Sequence, residues 1–454
     1  MTTVSSYFSH TQGIAIPTIP TTLRDAMILA RGIGFRYIWI DALCIVQDDP
    51  QDWERESAVM DQIYGNAAVT IAASASSSSE EGIFEIQGLG QSSFPCICAL
   101  KMGGTVRLCH TVQIVPFRQM EEFLDCEFNM PLAKRGWAMQ ERYLPQRIVY
   151  CGRRRLYFQC RHATRRSDGR TVKYYTERGL RKVLMFDANP SGDHVSSARV
   201  STVHDLWFDL VERFSGSGVL TRVSDRLPAI AGVANAVQRA TGDKYMAGLW
   251  ETDFARGLMW SRGNFRRYAS CGRHRDRAPT WSWAAWDGNL FYQTCEADTL
   301  PDKASAELID YHIELSGENS YGEVHSGTLF LRAWITACPT HALNNIGRLV
   351  LDEHSSNPTH YFSNSEIVSF IGSEDCVVML VGLFQKEIDD QANSLYGYEM
   401  REGATFELWG MLVLEPLPEP RRGYYERLGM ILRASETRED FDLTGWSLED
   451  VALV

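Results

Sequence analysis

The apolar period changes along this chain, and that change limits its fold more than any other feature. Up to about residue 280, apolar residues recur at helical spacing, broken by short β-branched runs. Beyond Thr280 the apolar residues fall in short runs of strand type: Trp281 to Trp286, Thr328 to Ala337, Val377 to Phe384, Phe406 to Leu414 and Arg427 to Arg433. One core cannot serve both patterns in 454 residues, so the spacing predicts several domains: α/β layers first, helices next, then antiparallel β.

Charge divides along the same line. The stretch 134–182 holds fifteen Lys/Arg against three acids, whereas 282–454 holds ten against twenty-nine. A basic middle and an acidic end can dock on each other, or the basic part can meet a phosphate-bearing partner. No finger, homeodomain or RNA-recognition pattern accompanies the basic stretch, which argues against nucleic-acid binding. No apolar run is long enough to span a bilayer, and residues 2–23 lack the basic start of a signal peptide. The expectation is a cytoplasmic protein. Its eleven scattered cysteines read as reduced thiols, and no metal site is expected. The nearest approach to one is Cys96-x-Cys98 with Cys109-His110.

Residues 1–20 read as a loose arm. Thr22 to Asp25 fits a capping box, followed by a helix that ends at Gly32 or Gly34. Arg36 to Ile40 reads as a buried strand ending at Asp41. Asp49 and Pro50 open a helix to about Gly65, and Ala68 to Ala73 is the next strand. A hairpin is predicted over 94–115. A helix is predicted from Pro131 to Tyr143, then a second hairpin of Ile148–Cys151 and Leu156–Cys160. Helices follow at about 202–214 and 225–240. Gly32-Ile33-Gly34 follows a helix rather than a strand, so it is no dinucleotide fingerprint.

The block Tyr37-Ile38-Trp39-Ile40-Asp41-Ala42-Leu43-Cys44-Ile45-Val46-Gln47-Asp48-Asp49 is distinctive. It continues through Trp53, Glu56, Met60, Ile63-Tyr64 and Ala67 to Ala73. Together with Arg135 to Arg142, it closely resembles the heterokaryon incompatibility (HET) domain of filamentous fungi. Asp225 to Gly232, Tyr245 to Trp250 and Pro279 to Ala284 resemble the region that follows this domain in many members. Trp409-Gly410 and Glu426 to Gly429 are similar in looser terms. The family's opening strand, of the type Leu-Ser-Tyr-x-Trp-Gly, has no counterpart here, so the expectation is an N-terminally truncated domain.

The resemblance implies an effector of self/non-self recognition and programmed cell death, with protein partners and self-association. It implies a fold similar to the Toll/interleukin-1 receptor domain, a parallel sheet with helices. Some members of that class hydrolyse NAD with a glutamate. An NAD-hydrolysing enzyme and an inactive truncated remnant therefore stand as alternatives, and no cofactor is otherwise implied. The domains expected are 1–165, a basic linker 166–200, a helical region 201–290 and an acidic β-rich region 291–454.

Candidate site residues follow from placement. Asp41, Cys44, Gln47 and Asp48 occupy the loop after the expected strand, where α/β sheets hold ligands and cofactors. Asp41 and Asp48 can equally serve as turn residues bonding backbone N–H groups. Glu56 shares a helix face with Trp53, Met60, Ile63 and Tyr64, and Glu141 shares one with Trp137 and Leu144. An acid on an apolar stripe is paired, protonated or catalytic. Ion pairing with arginine is the other reading for both, with Arg135, Arg142 and Arg147 near Glu141. Trp39, Trp53, Met60, Tyr64 and Trp137 are expected in one core, with both glutamates at its edge near Asp41. Cys44 with His10 or His110 as base is a weaker alternative. Trp281, Trp283 and Trp286 read as core or as a partner-binding patch.

Overall fold

The computed structural model describes residues 1–84, 93–102, 105–113, 123–153, 155–160, 162–167, 169–172, 184, 197–262, 273–274, 276–292, 298–300, 305–337, 348–351, 376–387, 405–421, 423–435 and 443–454. The chain divides into two compact units, Met1–Phe186 and Asp187–Val454.

The first unit is a mixed α/β region. Its helices are α1 (Val4–Gln12), α2 (Thr21–Gly32), the single turn α3 (Asp41–Cys44), α4 (Pro50–Ala58), α5 (Met60–Asn66) and α6 (Ala138–Tyr143). Its main sheet runs in the order β1 (Thr70–Ala72), β4 (Arg147–Cys151), β5 (Leu156–Cys160), β6 (Thr164–Arg166), β7 (Thr171–Val172). Only β1 and β4 are parallel; the pairs from β4 to β7 are antiparallel. The sheet is thus mixed, not the parallel sheet expected. A separate hairpin joins β2 (Ser93–Met102) to β3 (Thr105–Gln113).

Asp49 caps α4 as expected: its carboxylate accepts from the N–H groups of Gln51 and Asp52, with Pro50 at the first helical position. The helix breaks at Val59, where φ is −110° and ψ 7°, and resumes as α5.

Three local expectations are corrected. Residues 1–20 are not a loose arm, because Thr3 forms a capping box with Ser6 at the start of α1. Thr22 and Asp25 do not cap α2. They hold the 78–83 loop instead: Thr22 Oγ1 donates to the Ser78 carbonyl and accepts from Gly82 N–H, and Asp25 accepts from Ile83 N–H. Arg36–Ile40 is not a strand. No described strand pairs with it, and Tyr37 is 82% exposed. Without a ladder its backbone polar groups cannot be buried. A buried cluster among the described residues of this unit is Phe123, Cys126, Met130, Ile148, Tyr150 and Tyr157 with Ala72, and it contains none of the five residues expected.

The second unit opens with α7 (Ser197–Ser217) and α8 (Ala231–Thr241). Val203, Trp207, Leu210, Val211 and Phe214 are fully buried along α7, an apolar stripe at helical spacing. Two-residue strands β8 (Tyr245–Met246) and β9 (Leu249–Trp250) follow, then the short α9 (Phe254–Gly257) and the pair β10 (Trp260–Arg262) and β11 (Leu290–Tyr292). Trp281 to Trp286 is not a strand. A strand would turn alternate residues to the opposite face, yet every residue here is buried. Ser282 instead accepts from Ala284 N–H and caps a 3₁₀ turn over Trp283–Ala285.

Gly248 is the pivot of this tryptophan-rich core. Its carbonyl accepts from the indole N–H of both Trp207 and Trp283, each at 3.1 Å. Its φ is +104°, and an added Cβ would collide with Trp283 Nε1. Gly248→Ala combines left-handed strain with overpacking and is expected to cost about 2–5 kcal/mol. Urea unfolding reads this, and a midpoint equal to that of the native chain would contradict the arrangement.

The C-terminal sheet closes on itself as a barrel. β16 (Val377–Glu387) pairs with β17 (Thr405–Pro416), β17 with β18 (Tyr424–Ser435), β18 with β19 (Ser447–Leu453), β19 with β14 (Val324–Ala337), and β14 with β16. Strands β12 (Asp298–Leu300), β13 (Glu307–Leu315) and β15 (Arg348–Leu351) add to this ring. All its ring pairs are antiparallel except β18 with β19. A register shift between Leu380 and Gly382 changes which face β16 buries, so that Val378, Leu380 and Leu383 all join Trp409, Met411, Val413 and Ile431 in one core.

Candidate functional site

The loop 41–49 of the first unit is held from two sides. From the N-terminus, Thr2 N–H donates to the Ala42 carbonyl, Gln47 N–H donates to the Thr2 carbonyl, and Thr2 Oγ1 donates to the Leu43 carbonyl at 2.7 Å. Thr2 and Val46 form a parallel bridge. From α4, the buried Asp52 carboxylate accepts from Val46 N–H at 2.8 Å and pairs with Arg55. These bonds place Asp41 at the first position of α3.

Glu141 on α6 meets that position. The Tyr64 hydroxyl of α5 donates a hydrogen bond to its carboxyl, the Asp41 charge lies close by, and Arg135 opposes both. Trp39 packs edge-on against Tyr64 with ring centroids 5.7 Å apart. Trp53 meets Trp137 in the same way, also at 5.7 Å. The aromatic pairs join the segments that carry the polar groups, and the four rings keep partial exposure.

Burial, with the repulsion of Asp41 behind it, pushes the Glu141 carboxyl up to about 7, against the opposing pull of Arg135 and the Tyr64 hydrogen bond. Burial and the neighbouring acids raise the Tyr64 hydroxyl well above the usual tyrosine range, so it stays a proton donor. A carboxyl that is half-protonated near neutral pH can give or take a proton.

The other sequence candidates are placed differently. Glu56 on α4 is partly exposed, with Arg55 Nε 3.8 Å from its carboxylate; no described interaction joins it to Glu141 or Asp41. Asp48 accepts from Val4 N–H at 2.7 Å, and the Gln47 side chain donates to the Asp41 and Ile45 carbonyls. Cys44 is exposed, and His10 contacts Thr2 Oγ1 at 3.0 Å. The side chains of Cys96, Cys98, Cys109 and His110 lie outside the described residues. Among the described residues, no group of three or more His, Cys, Asp or Glu is disposed to hold a metal ion.

Sequence reading places Tyr64 only on an apolar helix face and does not single out Asp52 or Thr2. Asp52 carries one usable signal, an acid three residues after the helix cap Asp49, where a side chain can turn back to the preceding loop. Thr2 carries none.

No helix among the described residues is long and apolar enough to cross a membrane. No curated protein and no solved structure matches the chain. The family model described as "Heterokaryon incompatibility protein (HET)" matches residues 3–141, a span that takes in the Asp41 loop, α4, α5 and Glu141. Residues 3–141 are a heterokaryon incompatibility (HET) domain, the family whose likeness the blocks at 37–73 and 135–142 carry.

Proposed function

We propose that the protein is an effector of heterokaryon incompatibility, acting in self/non-self recognition and programmed cell death in a filamentous fungus. The match of residues 3–141 to the HET family carries this reading. In it the first unit delivers the death signal and the second, with its acidic barrel, meets protein partners or another copy of the chain. The test is inducible expression of the full chain in a filamentous fungus. Death of the expressing compartments is expected; normal growth at confirmed protein levels would count against the proposal.

The partly buried Glu141, bonded by Tyr64 and faced by Asp41, favours a second reading, an NAD-hydrolysing enzyme of the Toll/interleukin-1 receptor-like class. Glu141 would be its acid/base, with Tyr64 orienting the carboxyl and the Asp41, Cys44, Gln47 and Asp48 loop facing the nucleotide. NAD consumption by purified protein tests this. Turnover lost in Glu141→Gln but kept in Glu56→Gln assigns the chemistry to Glu141, and no turnover in the native chain removes the enzyme reading.

A further inference from the structure

The blocks Asp225–Gly232 and Pro279–Ala284 lie outside the HET match, and the reading above gives them no task. In the second unit they converge on one feature. Arg226 is 3% exposed, and its guanidinium lies 5.5 Å from the ring centroids of both Phe214 and Trp283. Arg277 is 5% exposed; its Nε donates to the Ala284 carbonyl at 2.6 Å and its Nη1 to Asp287 at 2.8 Å.

Asp287 is the only acid described against these two cations. It is shared three ways, with Arg277, with His274 Nε2 at 2.7 Å, and at 4.0 Å with Arg226 Nη1. Arg226 Nε and Nη2 and Arg277 Nη2 are buried with no hydrogen-bond partner among the described residues. Burial, followed by the repulsion of Arg277, pulls Arg226 down to about 9. A guanidinium does not escape such a place by losing its proton at neutral pH; it takes an anion. The two aromatic faces offset part of the desolvation but supply no acceptor for an N–H.

We propose that Arg226 and Arg277 form the receptor for a phosphate-type oxyanion, which enters beside Asp287. Three orphaned donor nitrogens on two planar forks suit a tetrahedral oxyanion that accepts along several directions. Asp287, with 32% of its side chain exposed, marks the way to solvent and competes with the anion for the same donors. The exposed Arg222 and Val223 lie at the same side, where the Val223 carbonyl accepts from Arg277 Nη1 at 3.5 Å.

The test titrates the full chain with sodium phosphate at constant ionic strength, kept with sodium chloride, and follows the thermal unfolding midpoint. A saturable rise of several degrees is expected with phosphate and not with chloride alone. Arg226→Gln is expected to abolish the phosphate-dependent part. Asp287→Asn removes the competing carboxylate and is expected to tighten the apparent Kd about tenfold. Equal responses to phosphate and chloride, or a phosphate response kept by a folded Arg226→Gln, would overturn the proposal. Should Arg226→Gln not fold, Asp287→Asn decides: tighter phosphate binding supports the site, and unchanged or weaker binding overturns it. Adenosine monophosphate in place of phosphate separates the sources. Tighter binding assigns the phosphoryl group of a nucleotide, equal or weaker binding the free ion, and either supports an oxyanion receptor.

Discussion

Arg427→Met is expected to lower unfolding stability by about 3–6 kcal/mol, the loss of two buried hydrogen bonds from a charged donor at roughly 1.5–3 kcal/mol each. Arg427 sits on β18 with no exposed surface. Its Nη1 donates to the Leu258 carbonyl at 2.6 Å and its Nη2 to the Trp260 carbonyl, while its guanidinium lies 3.6 Å from the Trp260 ring centroid. Methionine keeps the apolar stem but leaves both carbonyls buried without those donors. The same contacts bind the barrel to the segment before it, and the damage should therefore spread to both. Equilibrium urea unfolding followed by tryptophan fluorescence measures this. A midpoint within error of the native value would show that the head group contributes nothing.

The second large effect is a reversal of the usual acid loss of stability around one carboxyl. The folded state holds the Glu141 proton up to about 7, against an ordinary value of 4.5. Below pH 4.5 both folded and unfolded states are protonated and Glu141 is neutral in its effect. Between 4.5 and about 7 the unfolded state ionises first, so the contribution of this group falls as pH rises, and the loss is complete above 7. The amount is at most about 3.5 kcal/mol, from a shift of this size at roughly 1.4 kcal/mol per unit. Glu141→Gln should flatten that slope and stabilise the domain at pH 8 while changing little at pH 4.5. Denaturation midpoints of both proteins across pH 4–9 check it; parallel curves would refute the raised carboxyl.

Local signals were readable where one segment settles its own conformation. Asp49-Pro50 starts a helix whatever surrounds it, and Ile148–Cys151 with Leu156–Cys160 forms a hairpin across a four-residue turn. Signals failed where a distant partner decides. Thr22 and Asp25 have the chemistry of a cap, but the 78–83 loop offered them other donors and acceptors. Arg36–Ile40 has the composition of a strand and lacks a neighbouring ladder. Trp281, Trp283 and Trp286 all bury, so their near-alternation reports a crowded turn and not a face. At the site, sequence singled out Asp41 and Glu141 as acids in suggestive places. It could not say that Tyr64 reaches Glu141, since a tyrosine on an apolar helix face looks the same whether or not its hydroxyl has work to do.

The order of strands in the barrel bears on how the protein is made. β14 and β18 are bridged by β19, which runs antiparallel to the first and parallel to the second. During synthesis on the ribosome, β14 and β16 to β18 therefore emerge before residues 447–453 that join the two open edges. Until those residues leave the exit tunnel, both edges present unpaired N–H and C=O groups to solvent. The sheet cannot seal stepwise. It closes in one late event, and a nascent chain stalled ahead of Ser447 would be a substrate for chaperones.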